Sequence, residues 1–312
     1  MVTHHLELSR PNLRDCFDRD IPPVLTIDPG DSVVYRTLDA GWGGPGEKFG
    51  GIPREIEADP EHEQGHALSG PIAVRGARPG DALAIEIVDL RPTRWGWTWA
   101  GPRPYNPRYN LDLTEEAGLG WDIGSDGWAT ERHTGLRLAL RPFMGVMGNA
   151  PAEPGRHSTT PPRRVGGNMD CRELVAGSTV LLPVEVEGAI FSVGDGHAAQ
   201  GDGEVGQTAL ECGMERVELR FSLREQLPLD GPEAVTPAGY VTLGFGRSLD
   251  DAAVIALRAM LRHVGSAFDL LSAEAMALCS LAVDLRVTQV VNGGTVGAHA
   301  VLPPDRVQQA RR

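Results

Sequence analysis

The chain has 312 residues, a formal charge of −13 at pH 7 and a hydrophobic fraction of 41%. This apolar content can bury a core and argues against disorder, and no apolar run is long enough for a membrane helix. The negative balance disfavours nucleic acid as a partner, because phosphates require a basic face. We therefore expect a globular protein with neither a nucleic-acid nor a membrane partner.

The four cysteines are widely separated, and no C-x-x-C pair occurs; they are Cys16, Cys171, Cys212 and Cys279. This spacing disfavours a disulfide framework and a structural zinc cluster. Residues 1–13 are polar and contain no apolar signal segment. These features predict a protein of the reducing cytoplasm.

Residues 1–248 contain short apolar runs that alternate with turn signals such as Asp28-Pro29-Gly30. The runs predict strands at 24–27, 31–38, 71–74 and 82–90. Short strands at this spacing are typical of a β-sandwich or barrel. We therefore predict a mainly β domain over residues 1–248.

Within this part, residues 91–135 differ because they concentrate tryptophans among glycines, prolines and polar residues; these are Trp95, Trp97, Trp99, Trp121 and Trp128. Two interpretations stay open. The segment is either an insertion that packs on the sandwich or a lid or subunit contact.

The pattern changes after Leu249. Apolar residues at helical spacing predict a helix over 250–261, and a second helix is predicted over 272–281, followed by a strand over 284–291. The sequence thus predicts a smaller α+β segment, 249–312, packed on the same core.

Two formal motif matches lack the context that their chemistry requires. Residues 201–206 match G-x-G-x-x-G, but two acids lie inside the match and would repel phosphate. His62 and His66 match H-E-x-x-H, but Gly65 and the following Ser-Gly-Pro disfavour the long helix of a zinc protease. We reject both interpretations, although His66 stays a candidate as a single site residue.

Polar side chains cluster among glycines in residues 155–170 and 194–211. Asp195 and His197 are two residues apart, so an extended backbone would place both on one face, and the same holds for Asp202 and Glu204. Carboxylates mixed with imidazole suit Zn²⁺ or another divalent ion. The alternative is a solvated loop, after a strand over 189–193, whose acids only form turns.

Residues 148–171 and 194–212 carry long motifs that resemble the acetamidase/formamidase family, and 66–72, 78–91 and 284–304 follow the same family order. The resemblance implies a mostly β enzyme that hydrolyses a short-chain amide to carboxylate and ammonia. It also implies a homo-oligomer, a dimer or larger. The chain departs from the family at Gly206-Gln207, where Cys-Gly is common, which disfavours a cysteine nucleophile there. The segments 40–62 and 91–135 are also unusual for the family.

Amide hydrolysis needs an activated water, stabilisation of the oxyanion and an acid for the leaving amine. We hypothesise that Asp170, Asp195 and His197 bind the divalent metal, which is zinc or, alternatively, calcium or another oxygen-preferring ion. Glu204 and Glu211 are assigned to general base and acid roles. Asp170 could instead be a turn or cap residue. Glu204 and Glu211 could instead bond to loop amides or be surface acids.

Three further residues, His157, Asn168 and Gln200, are candidates for binding the amide substrate, although His157 could equally be structural. His66 is assigned to the catalytic group, with metal ligand, proton donor and structural histidine as open alternatives. Two other functions stay open: a metal-dependent hydrolase of a cyclic amide, carbamate or lactone, and a non-catalytic β-protein that binds a metal or small ligand.

Overall fold

The structure, a computed structural model, describes residues 1–43, 56, 58–59, 63–102 and 109–308. The first strands are β1 Thr3–Leu6, β2 Leu13–Arg14, β3 Cys16–Phe17, β4 Leu25–Ile27, β5 Ser32–Thr37, β6 Leu68–Val74, β7 Ala82–Pro92, β8 Trp95–Ala100, β9 Ala117–Ile123, β10 Trp128–Glu131 and β11 Arg137–Ala139. A single 3₁₀ turn, Arg10–Asn12, precedes β2.

The later strands are β12 Phe143–Asn149, β13 His157–Ser158, β14 Gly166–Asn168, β15 Thr179–Pro183, β16 Phe191–Ala199, β17 Leu210–Cys212, β18 Met214–Arg224, β19 Glu233–Thr236, β20 Gly239–Gly246, β21 Asp284–Asn292 and β22 Thr295–Leu302. Two helices, α1 Leu249–Phe268 and α2 Ser272–Ala282, lie between β20 and β21. Strands hold 44% of the residues and helices 12%, which confirms the mainly β class with a small helical part.

Two large sheets form within the described residues. One has nine strands in the order β1-β5-β18-β7-β15-β19-β20-β22-β21. The other has eleven, with the path β11-β10-β9-β8-β17-β16-β12-β14, and β6 pairs with β16 and also with β2 and β4. Short β13 and β3 form a third pair.

The main hydrophobic core contains inward side chains of both sheets, as expected for a sandwich. Phe221 of β18 and Phe191 of β16 meet edge to face with ring centroids 5.2 Å apart. Ile85 of β7 and Met144 of β12 are fully buried in the same cluster. The core therefore holds β12 and β16, two paired strands of the eleven-stranded sheet, in a fixed position.

The helical segment packs on the nine-stranded sheet. Ser248 caps α1 by accepting a hydrogen bond from the amide of Asp251, and the helix buries small and apolar residues such as Ala256 and Met260. Strands β21 and β22 then continue the same sheet beside β20. A boundary at residues 248/249 stays a prediction.

The tryptophan-rich segment extends the eleven-stranded sheet at one edge through β8–β11. Trp95, Trp97 and Trp121 are buried, whereas Trp128 is 41% exposed. The described part thus packs as sheet, and residues 103–108 lie outside the described residues. So do most of residues 44–62, including His62 of the formal H-E-x-x-H match.

Neither helix of the described chain is by itself long and apolar enough to cross a membrane; α1 and α2 pass a length and composition test only as a bent pair.

Candidate metal and catalytic site

Four neighbouring strands, β17, β16, β12 and β14, carry the predicted acids and histidine to one place. Asp195 and His197 lie on β16, and Glu211 of β17 pairs directly with His197. Asp170 follows β14, two residues after its end. The expected strand end at Val193 is wrong, because β16 continues to Ala199 and is buried throughout.

His197 lies at the centre of this cluster. Its Nε2 atom is 3.2 Å from Oδ1 of Asp195 and 3.3 Å from Oε2 of Glu211. Its Nδ1 atom is 3.9 Å from Oδ1 of Asp170. All four side chains are at most 4% exposed, so water does not screen their charges.

Five of the clustered polar atoms have no hydrogen-bond partner among the described residues; they are Asp170 Oδ1, Asp195 Oδ1, His197 Nε2, Glu204 Oε2 and Glu211 Oε2. The short distances from His197 to Asp195 and Glu211 are therefore close contacts whose geometry is not that of a hydrogen bond. Leaving a buried charged group unpaired costs several kcal/mol, roughly, so such a set is unusual without a bound cation.

The cluster fits a divalent ion. Asp170, Asp195 and His197 offer ligand atoms that all lie within 4.8 Å of one another, and so do His197, Glu204 and Glu211. One imidazole with several carboxylates is a donor set used for Zn²⁺ and for oxygen-preferring ions.

The backbone is strained at three of the clustered acids. Asp170, Asp195 and Glu204 have φ values of 47°, 61° and 46°, in the left-handed region that non-glycine residues rarely adopt. Each such residue costs of order 1 kcal/mol or more, and strain of this kind concentrates at functional sites. The three carboxylates thus point into the cluster at an energetic cost to the fold.

Gly145 on β12 leaves the space in which the cluster meets. A Cβ atom there would lie 2.4 Å from Oδ2 of Asp195, 2.6 Å from Oδ1 of Asp170 and 2.8 Å from Cε1 of His197. Any side chain at this position would therefore displace the candidate ligands.

Glu204 reaches the cluster from the loop after β16. The amide of Gly203 donates to the carbonyl of Thr288, and the amide of Val290 donates to the carbonyl of Gly203. Strand β21 therefore holds this loop in place. The expectation that Asp202 and Glu204 share a face of extended chain is wrong, because the backbone turns at Gly203 and leaves Asp202 exposed and Glu204 buried.

Burial and mutual repulsion raise the pKa values of three clustered carboxylates. Burial raises the pKa of Glu211 to about 7 and that of Asp170 to about 6, against the opposing charge of His197. Burial, together with the charge of Asp170, raises the pKa of Glu204 well above its usual value. Burial therefore favours the protonated form of Glu204.

The other two groups shift toward their charged forms. Burial alone would lower the pKa of His197, but Glu211 and Asp195 raise it well above the usual value. Burial alone would raise the pKa of Asp195, but the charges of His197 and His66 lower it well below the usual value. In the absence of a metal, His197 and Asp195 thus form a buried pair of opposite charges.

His66 borders the cluster. It is half-buried, its Nδ1 lies 2.7 Å from Oγ1 of Thr159, and its charge favours the ionised forms of Asp195 and Asp170. His157 differs, because its ring donates to the carbonyl of Glu153 in its own loop.

Gln200 contacts the cluster, and Asn168 precedes Asp170 by two residues. Asn168 donates from Nδ2 to the carbonyl of Thr160, 3.1 Å away, and its buried Oδ1 has no partner among the described residues. Gln200 bonds to the ring of His197 and to the main chain of Asp170. Their assignment to substrate binding stays a prediction.

Sequence reasoning missed Asn292 and Asp39. Asn292, at the end of β21, donates from Nδ2 to Oδ2 of Asp170. Asp39 is buried and accepts from Nε1 of Trp97 at 2.8 Å; burial raises its pKa, and the charge of Asp195 adds to the shift. The Asn-Gly-Gly turn at 292–294 is visible in the sequence, but nothing local links it to Asp170.

Cys171, adjacent to Asp170, is a poor nucleophile. It is fully buried, and burial raises the pKa of its thiol to about 12. The thiolate required for attack is therefore scarce at neutral pH. All four cysteines are free and buried.

Comparison with known proteins places this fold among amide hydrolases. An acetamidase of Bacillus halodurans shares 31% identity with a TM-score of 0.83, covering 96% of this chain and 97% of the other. An acetamidase of Yersinia enterocolitica shares 26% identity with a TM-score of 0.83, covering 98% and 93%. A Schizosaccharomyces pombe protein, named as a candidate formamidase, is 28% identical over 308 residues, covering 78% of this chain and 74% of its own length.

The fold and its relatives define the class as an amidase, an enzyme that hydrolyses amide C–N bonds. A model described as "Acetamidase/Formamidase family" matches residues 2–158 and 152–308, which together span nearly the whole sequence. The chain belongs to the acetamidase/formamidase family. The resemblance seen in the two long sequence motifs is thereby confirmed.

Proposed function

We propose that the protein hydrolyses short-chain aliphatic amides, of the acetamide and formamide type, to carboxylate and ammonia at a divalent metal ion. The observation that carries this proposal is the set of five buried oxygen and nitrogen atoms of the His197 cluster that have no hydrogen-bond partner among the described residues. Asp170, Asp195 and His197 would hold the ion, with zinc the first candidate and calcium or another oxygen-preferring ion the alternative. The acetamidase names of the structural relatives support the substrate class.

A bound divalent ion supplies an acidified water and a Lewis acid for the amide carbonyl. Glu211, with its pKa raised to about 7 and a free Oε2, is suited to accept the proton of the attacking water. Glu204, whose protonated form is favoured by burial, would give its proton to the departing nitrogen, since amide cleavage requires protonation of the leaving amine.

Asn168 is the residue best placed to orient the substrate. Its Oδ1 is buried, has no hydrogen-bond partner among the described residues and can accept from an amide NH₂ group. His66, whose Nδ1 lies 2.7 Å from Oγ1 of Thr159, stands at the border of the site. No such contact supports a substrate role for His157, whose ring bonds to its own loop.

The test is ammonia release from formamide, acetamide, propionamide and an aromatic amide, measured with chelator and with added Zn²⁺. We expect release from the short amides, loss on chelation and recovery with metal. Asp195→Ala should remove metal binding and activity together, while exposed Asp126→Asn serves as the control. Full activity of metal-free protein would refute the metal mechanism while keeping the amidase.

The cytoplasmic location, the homo-oligomer and the absence of nucleic-acid and membrane partners stay predictions. Sedimentation of the purified protein measures the oligomer directly.

A further inference from the structure

The amide of Gln200 makes two hydrogen bonds that determine each other. Its Nε2 donates to the main-chain carbonyl of Asp170 at 2.8 Å, and its Oε1 lies 3.0 Å from Nδ1 of His197. A carbonyl oxygen only accepts hydrogen bonds, so the NH₂ group of Gln200 must face Asp170. The amide oxygen then faces His197, and because it too only accepts, Nδ1 must carry a hydrogen.

This orientation decides which ring nitrogen meets the carboxylates. With the hydrogen on Nδ1, the neutral imidazole has its lone pair on Nε2, the atom that faces Asp195 and Glu211 at 3.2 and 3.3 Å. A lone pair directed at two carboxylates is stable only when a cation lies between them. The ring of Phe143 packs edge-on against the imidazole, with centroids 4.9 Å apart, and restricts its rotation.

We propose that Gln200 is a positioning residue that selects Nε2 of His197 as the metal-binding atom and ties this ring to the main chain of Asp170. This positioning role replaces the substrate-binding role predicted for Gln200, because both ends of its side-chain amide are engaged within the protein. The inference rests on the proposed function, since it concerns the ion which that function requires.

Three variants separate the possible roles. Gln200→Met keeps the length of the side chain and removes both hydrogen bonds. Gln200→Glu keeps an acceptor for Nδ1 and loses the donor to Asp170. Gln226→Met changes an exposed glutamine outside the cluster, whose main-chain amide donates to Asp81, and it serves as the matched control.

The measurement is Zn²⁺ binding to the chelator-treated full chain by calorimetry, with KM and kcat for acetamide measured separately. Loss of a hydrogen-bond partner of a metal-binding histidine typically weakens metal affinity about 10–100-fold. We expect a loss of this size in Gln200→Met, partial recovery in Gln200→Glu and no change in Gln226→Met. Nitrogen-15 spectra of the Zn²⁺-loaded wild type should show the hydrogen on Nδ1 of His197.

Two results would overturn the role of Gln200 alone: unchanged Zn²⁺ affinity in Gln200→Met with a raised KM, or a hydrogen on Nε2 in the loaded wild type. If Gln200→Met does not fold, the wild-type spectrum and Gln200→Glu carry the test. Failure of the wild type itself to bind Zn²⁺ or another divalent ion would instead overturn the metal site of the proposed function, and this inference with it.

Discussion

Asn292 donates a hydrogen bond from Nδ2 to Oδ2 of Asp170, a residue 122 positions earlier in the chain. The same Nδ2 also donates to the main-chain carbonyl of Asn168 at 3.1 Å. One oxygen of the Asp170 carboxylate is thus occupied, while Oδ1 is left facing the cluster without a partner among the described residues. A residue of the β21–β22 hairpin therefore orients a candidate ligand on the opposite sheet.

Replacing Asn292 should weaken metal binding, because Asp170 loses the hydrogen bond that orients its carboxylate. Asn292→Leu is close in volume and removes the donor, so we expect about 10–100-fold weaker Zn²⁺ affinity by calorimetry. Asn12→Leu, at an exposed asparagine that donates to the carbonyl of Glu7, is the control and should leave the affinity unchanged. Equal affinities in the two variants would contradict the orienting role of Asn292.

Gly145→Ala should abolish metal binding and amide hydrolysis, because the added methyl group would occupy the position where Asp195 and Asp170 converge. Gly201→Ala is the matched control, since a Cβ atom there meets nothing within 4 Å and its φ does not require glycine. Circular dichroism establishes that both variants fold. Undiminished activity in folded Gly145→Ala would show that the cluster is not the reaction centre.

Glu204→Gln should lower kcat by about 10²–10⁴-fold and leave KM nearly unchanged, because the amide cannot give a proton to the leaving amine. In the wild type, activity should fall as pH rises through the raised pKa of Glu204, since the proton is then lost. Exposed Glu187→Gln is the control. A Glu204→Gln variant with wild-type kcat would exclude this residue as the acid.

The stability of the metal-free protein should decrease as pH rises from about 5 to 7. Glu211 and Asp170 have pKa values of about 7 and 6 in the folded protein, above their ordinary 4.5 and 3.8, so the folded state holds protons that the unfolded chain releases. His197 extends the decrease above pH 6.5, because its raised pKa contributes stability that is fully present below pH 6.5 and is lost as pH rises through the folded pKa. The lowered pKa of Asp195 contributes a constant amount above pH 3.8.

Calorimetric Tm values with chelator, taken across this pH range, measure the decrease. Glu211→Gln should flatten the slope, and Zn²⁺ should oppose it, because a bound ion replaces the protons that the cluster otherwise holds. A Tm that rises steadily with pH in the chelated wild type would be inconsistent with these shifts.

Glu173, a buried carboxylate outside the cluster, stabilises the fold through two ion pairs. Glu173 is 1% exposed and pairs with Arg141 and with Arg286, the latter at 2.9 Å. Glu173→Ala should lower the free energy of unfolding by about 1–3 kcal/mol, because Arg141 loses this carboxylate and Arg286 keeps only Asp284, 3.6 Å away. The exposed pair Asp126–Arg137 provides the control, for which Asp126→Asn should change stability by less than about 1 kcal/mol. Urea denaturation measures both, and equal effects would refute the distinction.

Local patterns in the sequence were sufficient for the mainly β class. The run ending at Ile27 and the helix beginning near Asp250 are bounded by turns and caps that act within a few residues, and β4 and α1 form there. The candidate ligands Asp195 and His197 were also recognisable, because alternation on one strand is a local property.

The remaining features depend on pairing between distant strands. Gly145 looks like any glycine in an apolar run, and only the placement of β12 beside β16 brings it against Asp195. The turn at Gly203 is held by two main-chain hydrogen bonds to β21. The residues next to Gly203 in the sequence give no sign of these bonds. Sequence alone therefore predicted which residues form the cluster better than it predicted what supports them.

The hydrogen bonds from β21 to the Glu204 loop have a consequence for the timing of activity. A nascent chain on the ribosome would already contain Asp170, Asp195, His197 and Glu204 before the strand that holds two of them has been synthesised. Hydrolysis should therefore begin only once the β21–β22 hairpin has emerged and joined its sheet. A protease that removed this hairpin would inactivate the enzyme, although every acid and the histidine of the cluster would still be present.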